Sequence, residues 1–165
     1  MRVHHTLKIF VLCAGALTVS PATAATTTTT LNVNATVTGV CLVTANTLAF
    51  GSYDPTSAVP LDASTTLLVT CTTGTVYTVA LGVGGGTGAT VAVRKMRNGA
   101  NELHYALYQD SARTTLWGNT PGTDTPAAAT ASVTPATLTV YGRVAASQNV
   151  PAGTYTDAVT VTVTY

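Results

Sequence analysis

Apolar and polar residues alternate in two segments near the ends of the chain. In the first segment the apolar face consists of Leu31, Val33, Ala35 and Val37. In the last eleven residues, 155–165, it includes Val159, Val161, Val163 and Tyr165. Threonine or asparagine occupies most positions between them, and a period of two with β-branched residues predicts a strand with one buried face. The sequence therefore predicts a strand near each end, with nothing after the second to cover it.

Further short strands are predicted between turn signals. They cover residues 48–50, 65–72, 76–83, 91–96, 103–108, 114–117 and 138–144. Asn98-Gly99 is the strongest short signal for a β-hairpin, and residues 120–130 are predicted as a loop. No helix is predicted after residue 24. Short strands at regular spacing predict an all-β, immunoglobulin-like β-sandwich.

Residues 1–24 have the features of a secretory signal peptide. Arg2 and Lys8 precede an apolar run over residues 9–19. This run is too short to span a bilayer, which needs about 20 residues. Small residues before Ala24 favour cleavage after that position. The alternative is an uncleaved anchor. No other segment is predicted to cross a membrane, so we expect an exported protein that does not span the membrane.

Export changes the cysteine count. Cys13 is removed with the signal peptide, which leaves Cys41 and Cys71. An even number of cysteines in an exported chain predicts one disulfide. Two thiolates and one distant histidine do not fill a zinc site, and no C-x-x-C motif indicates a redox pair.

The exported chain has few charges. Without Arg2 and Lys8 it carries five basic and six acidic residues, a net charge of −1. Nucleic-acid binding requires a basic surface, so this class of partner is excluded. The one local basic cluster, Arg94-Lys95-x-Arg97, is interpreted as the solvated end of a hairpin rather than a ligand site.

The residue types needed for catalysis are scarce. A Ser-His-Asp triad would have to use His104, which lies in a predicted strand and is interpreted as a surface or half-buried residue. Most acidic residues adjoin turn residues, where solvated turn formers are expected. The glycines at 84–86 lack the sequence of a phosphate loop. We predict no enzyme, no metal and no cofactor.

Aromatic residues leave two interpretations open. Tyr105, Tyr108 and Trp117 are expected to belong to the core, and the alternative is a surface on which sugars stack.

Several short stretches together resemble one known family. They are Cys41, the LAFGSYDP stretch at 48–55, VTC at 69–71, LHYALYQD at 103–110, LWG at 116–118, VYGRV at 140–144 and VPAGTYTD at 150–157. In this order they resemble the spore coat protein U domain family, which includes the major subunits of archaic, Csu-type chaperone–usher pili. The resemblance covers the chain from about residue 31 to its end.

The resemblance implies an incomplete immunoglobulin-like fold that lacks its last strand. In such families a periplasmic chaperone lends a strand, and the N-terminal extension of the next subunit replaces it at an outer-membrane usher. This is donor-strand complementation, a form of β-strand addition. The implied partners are therefore identical subunits, a periplasmic chaperone and an outer-membrane usher.

The resemblance also implies a role for each of the two alternating segments. Residues 25–37 are the expected donor extension, with Leu31, Val33, Ala35 and Val37 as the inserted side chains. Residues 38–165 are the expected sandwich domain, whose first strand lies near Cys41. The apolar residues of its C-terminal strand, Val159, Val161, Val163 and Tyr165, are expected to line an acceptor groove.

The sequence thus favours a structural subunit of a surface pilus that supports adhesion and biofilm formation. A single domain with its own extension favours the shaft over a tip adhesin. The alternatives are a carbohydrate-binding adhesin domain and a coat or matrix protein whose N-terminal strand completes its own domain. A secreted enzyme is the least favoured class.

Overall fold

The computed structural model describes residues 22–165 and separates into two units, Met1–Ala35 and Thr36–Tyr165. The described part of the first unit, residues 22–35, contains no helix or strand, and all its residues are exposed. The second unit carries every strand described. The predicted signal peptide, residues 1–24, lies almost wholly outside the described residues and stays a prediction.

Residues 22–165 contain eight strands and no helix. The strands are β1 (Cys41–Ala45), β2 (Leu61–Cys71), β3 (Val76–Leu81), β4 (Arg94–Asn98), β5 (Asn101–Tyr108), β6 (Ala129–Thr130), β7 (Ala136–Val144) and β8 (Val161–Thr164). One sheet has the order β1-β2-β7-β5-β4, and the other has the order β6-β3-β8. All their pairs are antiparallel. The predicted all-β fold is confirmed.

The core lies between the two sheets because alternate residues of the long strands are apolar. The five-stranded sheet buries Leu67, Val69, Leu103, Tyr105, Leu107, Val140 and Val144. The three-stranded sheet buries Tyr77, Val79 and Leu81. Trp117 is 1% exposed, and its Nε1–H donates to the Val79 carbonyl at 2.9 Å. The core positions expected for Tyr105 and Trp117 are confirmed, whereas Tyr108 is half-buried.

The predicted hairpin is formed by β4 and β5. Asn98 pairs with Asn101, so Gly99 and Ala100 are the two turn residues. Gly99 has a φ of 61°, a conformation that glycine adopts without steric cost, and glycine at the first turn position is typical of a type II′ turn.

Several predicted strands differ from the observed ones. Residues 31–38 and 48–50 have no strand structure, and residues 155–165 contain a strand only at β8. Residues 114–117 contribute a single bridge, Tyr108 to Leu116. A strand must pair its backbone N–H and C=O groups with a neighbour, and neither 31–38 nor 48–50 has a ladder partner among the described residues. The strands predicted at 31–38 and 48–50 are therefore wrong for the single chain, and the apolar face predicted for residues 31–37 is exposed rather than buried.

Candidate functional site

An open groove of about 900 Å³ enters the core of the second unit between the two sheets. Its floor is apolar and is made of Leu67, Leu81, Leu103, Leu107, Val140 and Val144. Protein cores are normally packed with few voids larger than a water molecule. A groove of this volume shows that no strand or loop among the described residues covers this part of the core.

One rim of the groove is formed by β8 and the residues before it. Val159 and Val161 line the groove, and β8 pairs with β3 through the register Val161↔Leu81. Since β8 is the end strand of its sheet, its other edge is hydrogen-bonded to no further strand among residues 22–165. Unpaired N–H and C=O groups along a strand edge can pair with an added strand. The groove therefore combines an apolar floor with an edge that can form hydrogen bonds.

A further part of the lining is the irregular segment between β1 and β2. The Phe50 ring meets the Tyr105 ring edge-on, with centroids 6.0 Å apart and an interplanar angle of 66°. Leu48 and Phe50 approach Gly142 so closely that a Cβ there would lie 2.7 Å from each. The Tyr53 hydroxyl donates to the Ala145 carbonyl at 2.9 Å. Glycine in β7 thus allows this segment to lie against the sheet.

Sequence reasoning did not identify this segment as part of the site. The sequence predicts a strand at residues 48–50 and a family resemblance over 48–55, but neither prediction places this segment in a groove. The lining residues 150–156 likewise belong to a stretch that carries the resemblance, and 155–156 to the predicted C-terminal strand. They follow β7 and form no strand, apart from a single bridge between Thr156 and Arg97.

A polar pair lies in the lining where the chain enters β8. The Tyr105 hydroxyl donates to Asp157 Oδ2 at 2.7 Å, and the backbone N–H groups of Gly85 and Ala158 donate to Asp157 Oδ1, each at 2.8 Å. Burial raises the pKa of Tyr105 well above its usual value, and the hydrogen bond to Asp157 raises it further. Tyr105 therefore stays a neutral donor and holds the residues before β8 in place.

Arg94 corrects the expectation of a solvated basic cluster. It is fully buried, and its guanidinium donates to the carbonyls of Gly82, Val91, Leu81 and Trp117 at 2.7–3.1 Å. Burial lowers its pKa, but an arginine remains charged. Lys95 and Arg97 are half-buried, and Lys95 Nζ lies 2.9 Å from Glu102 Oε2. Arg94 is a structural group that joins four backbone carbonyls rather than part of a basic surface.

The predicted disulfide is present. Cys41, the first residue of β1, is bonded to Cys71, the last residue of β2, and the two residues are also opposite each other in the ladder. The bond therefore fixes the start of the edge strand β1 to its neighbour.

The residues predicted for strand exchange lie in different surroundings. In the proposed donor, Leu31, Val33 and Val37 are 84%, 84% and 81% exposed, and Ala35 is also exposed. In the proposed acceptor, Val159 and Val161 line the groove. Val163 packs against the core beyond the groove lining, and Tyr165 is 60% exposed.

The residues weighed for catalysis are engaged in the fold. His104 is exposed beside Glu102, and its backbone N–H donates to Gln148 Oε1 at 2.8 Å. Asp54 and Asp110 accept hydrogen bonds from turn residues that follow them, and these bonds lower the pKa of both carboxyls. Within residues 22–165, no cluster of His, Cys, Asp or Glu side chains could hold a metal ion. No helix in this part of the chain has the length and apolarity to cross a membrane.

Comparison with known proteins places these features in a family. A family model described as the Spore Coat Protein U domain matches residues 27–162. Protein U of Myxococcus xanthus is 42% identical over 161 residues, which cover 88% of this chain and 89% of Protein U.

Two solved structures are similar in fold. One is the CsuC-CsuE chaperone-tip adhesion subunit pre-assembly complex from archaic chaperone-usher Csu pili of Acinetobacter baumannii, with a TM-score of 0.56 and 26% identity. The match covers 79% of this chain but spans only 40% of the matched one. The other is the P pilus rod subunit PapA, with a TM-score of 0.50, 15% identity and coverage of 76% and 98%. The latter likeness concerns the fold alone, an immunoglobulin-like sandwich of pilus subunits.

Proposed function

The chain belongs to the Spore Coat Protein U domain family, and we propose that it is a structural subunit of a surface pilus that polymerises by donor-strand exchange. Residues 25–37 of one subunit then enter the groove of the next as an added strand beside β8. The observation that carries this proposal is the apolar groove of about 900 Å³ next to the unpaired edge of β8.

The N-terminal segment has the pattern that such a groove requires. Its four alternate apolar residues, from Leu31 to Val37, would extend over about 20 Å as a strand. Burial of a leucine or valine side chain contributes about 1.5–3 kcal/mol, and that of Ala35 contributes less. These side chains are exposed in the single chain, so their burial in another subunit supplies a driving force for assembly.

The same groove requires protection before assembly. An exposed strand edge beside apolar surface promotes aggregation. We therefore expect a periplasmic chaperone to fill the groove with a strand of its own until the extension of another subunit replaces it at an outer-membrane usher. The similarity to a chaperone-subunit pre-assembly complex supports this order of events.

Export and surface location follow from this function. The predicted signal peptide, residues 1–24, would direct the chain to the periplasm, and assembly would place it at the cell surface. A homopolymer there would support adhesion and biofilm formation. We assign the subunit no catalytic role, because Asp157 in the groove lining is hydrogen-bonded within the fold.

A coat or matrix protein that completes its own fold is the second candidate. The family description, Spore Coat Protein U domain, and the identity to Protein U favour it. In this case residues 25–37 would occupy the groove of the same molecule, and no chain of subunits would form.

The deciding experiment compares the mature chain with a variant that lacks residues 25–37. Each protein is produced with a candidate periplasmic chaperone and analysed by size-exclusion chromatography and by SDS gels of unheated samples. We expect a one-to-one chaperone complex for both proteins and an SDS-resistant ladder for the full chain alone.

A different result of this experiment would contradict the proposal. A full chain that is a stable monomer without chaperone, with the deletion variant unfolded, would overturn the pilus proposal. It would favour the self-completed coat protein.

A further inference from the structure

The outer face of the five-stranded sheet carries an apolar patch at its β1 edge. Val40, Leu42 and Leu68 are 58%, 65% and 43% exposed. Leu42 is opposite Thr70 and Leu68 is opposite Thr44, so the two leucines lie diagonally on one face. Val40 continues the ladder, since the Thr72 N–H donates to its carbonyl at 2.9 Å. We call these three residues the β1 patch.

The surroundings of the β1 patch are polar but uncharged. Thr44 and Thr70 lie in the same strand pair, and Thr137 is opposite Leu68 on β7. The nearest charged pair in this sheet register, Asp62 with Arg143, lies six residues along β2, about 20 Å away. An apolar centre with a rim of neutral hydroxyls is typical of protein interfaces, which have few charges at their core.

The short linker between Val37 and Cys41 indicates which molecule contacts the β1 patch. In the proposed fibre, Val37 lies in the groove of the next subunit, while Cys41 is fixed to β2 of its own domain by the disulfide. Four residue steps span at most about 14 Å. A folded domain of this size has a radius of gyration of about 14 Å, so two domains joined so closely must touch beside Gly39.

We propose that the β1 patch is a second contact between successive subunits. Its occupant is the groove rim of the copy that receives residues 25–37, so the inference rests on the proposed function. Burial of Val40, Leu42 and Leu68 at this joint limits bending between neighbouring domains. The inserted strand links the subunits, and the patch sets how stiff the joint is.

The test uses the double variant Leu42→Thr/Leu68→Thr, which removes apolar surface and places β-branched threonine, a residue that favours strands, at both positions. Val59→Thr is the control, because Val59 is 71% exposed and precedes the other end of β2. Hydroxyl-radical footprinting compares leucine oxidation in the polymer with that in the chaperone complex of the variant lacking residues 25–37. Electron microscopy measures the persistence length of the fibres.

We expect oxidation of Leu42 and Leu68 to fall severalfold on polymerisation of the wild-type chain. The double variant should keep its SDS-resistant ladder, because strand exchange is intact, but lose most of the persistence length. The control should behave as the wild type.

Equal oxidation of both leucines in the chaperone complex and in the polymer, or unchanged fibre stiffness in the double variant, would overturn the second contact while strand exchange stands. Protection of the leucines in a full-length monomer would mean that the chain's own extension covers the patch. Absence of a ladder from the wild type would instead refute the proposed function, and this inference with it.

Discussion

Residues 31–37 and residues 155–165 share one sequence pattern but differ in the folded chain. The first segment has no strand structure and its apolar side chains are exposed. The second forms β8 over Val161–Thr164, because β3 offers a ladder partner in register. The pattern defines which side chains a strand would bury, but a strand forms only where a neighbour satisfies its backbone. The N-terminal segment is thus a strand sequence without a partner.

The largest expected effect comes from a charge on the apolar face of the N-terminal segment. Val33→Asp should abolish the SDS-resistant ladder, since an unpaired carboxylate inside the groove costs several kcal/mol. The thermal unfolding of the chaperone-bound subunit should not change, because Val33 is 84% exposed in the single chain. The matched control is Asn34→Asp, on the opposite face of the same segment. A normal ladder from Val33→Asp would contradict the donor role.

The equivalent charge in the C-terminal segment should act on the fold itself. Val161→Asp should reduce the free energy of unfolding of the domain by about 4 kcal/mol, because Val161 lies in β8 against the core. Thr162→Asp, on the exposed face, should change it by about 0.5 kcal/mol or less. Denaturant titration of the variant lacking residues 25–37 measures both. If both substitutions lowered the free energy of unfolding equally, the apolar face of the C-terminal segment would not be what stabilises the domain, and the contrast with the N-terminal segment would fail.

Loss of the disulfide should destabilise the domain where the N-terminal segment enters it. The double variant Cys41→Ser/Cys71→Ser should lower the free energy of unfolding by about 3–4 kcal/mol, because the loop between the two residues is no longer closed in the unfolded chain. Reduction of the wild-type protein should give the same value by denaturant titration. A loss below about 1 kcal/mol would mean that the ladder alone fixes β1.

The hydroxyl of Tyr105 should stabilise the entry to β8 to a smaller extent. Tyr105→Phe removes the donor to Asp157 and should cost about 1–3 kcal/mol. Hydrogen exchange at residues 157–160 should become faster. Tyr108→Phe, at a residue of the same strand that points to the opposite face, is the control. Unchanged exchange at those residues would show that the contact with Asp157 does not hold the C-terminal segment.

The smallest effect is expected at a charged pair between β2 and β7 of the five-stranded sheet. Arg143 holds the pKa of Asp62 below its usual value through two hydrogen bonds. Because the pKa is depressed in the folded state, this stabilisation is present above about pH 4 and is lost as the pH falls further. Asp62→Asn should therefore cost less than about 1 kcal/mol at neutral pH.

The thermal unfolding temperatures of the wild type and Asp62→Asn should converge below about pH 4. The SDS-resistant ladder should be unaffected. A variant that failed to assemble would show that surface charge, and not the two alternating segments, controls polymerisation.

The sequence predicted the paired strands well. β3, β5 and β7 coincide with predicted strands because alternation and turn residues agree there, and the turn at Gly99 required only its local sequence. Val159 and Val161 belong to the apolar face of the predicted C-terminal strand and both line the groove, while their role as acceptors of another strand stays a prediction.

The parts of the fold and of the groove that the sequence did not predict depend on tertiary contacts. Residues 48–55 line the groove without strand structure, held against Gly142 by packing that no local pattern encodes. Arg94 was expected in solvent because arginines in hairpins are usually exposed, and only the converging carbonyls of four separate residues explain its burial. Which strand fills the groove likewise depends on another molecule.

The disulfide also determines how the subunit responds to pulling. In a fibre under tension, force would enter each domain at Cys41 through the N-terminal extension. β1 is an edge strand of five residues, and its hydrogen bonds would otherwise break one pair after another from that end. The covalent bond transfers the load to Cys71 at the end of β2, which is paired on both sides by β1 and β7. Tension therefore reaches the middle of the sheet without peeling its edge.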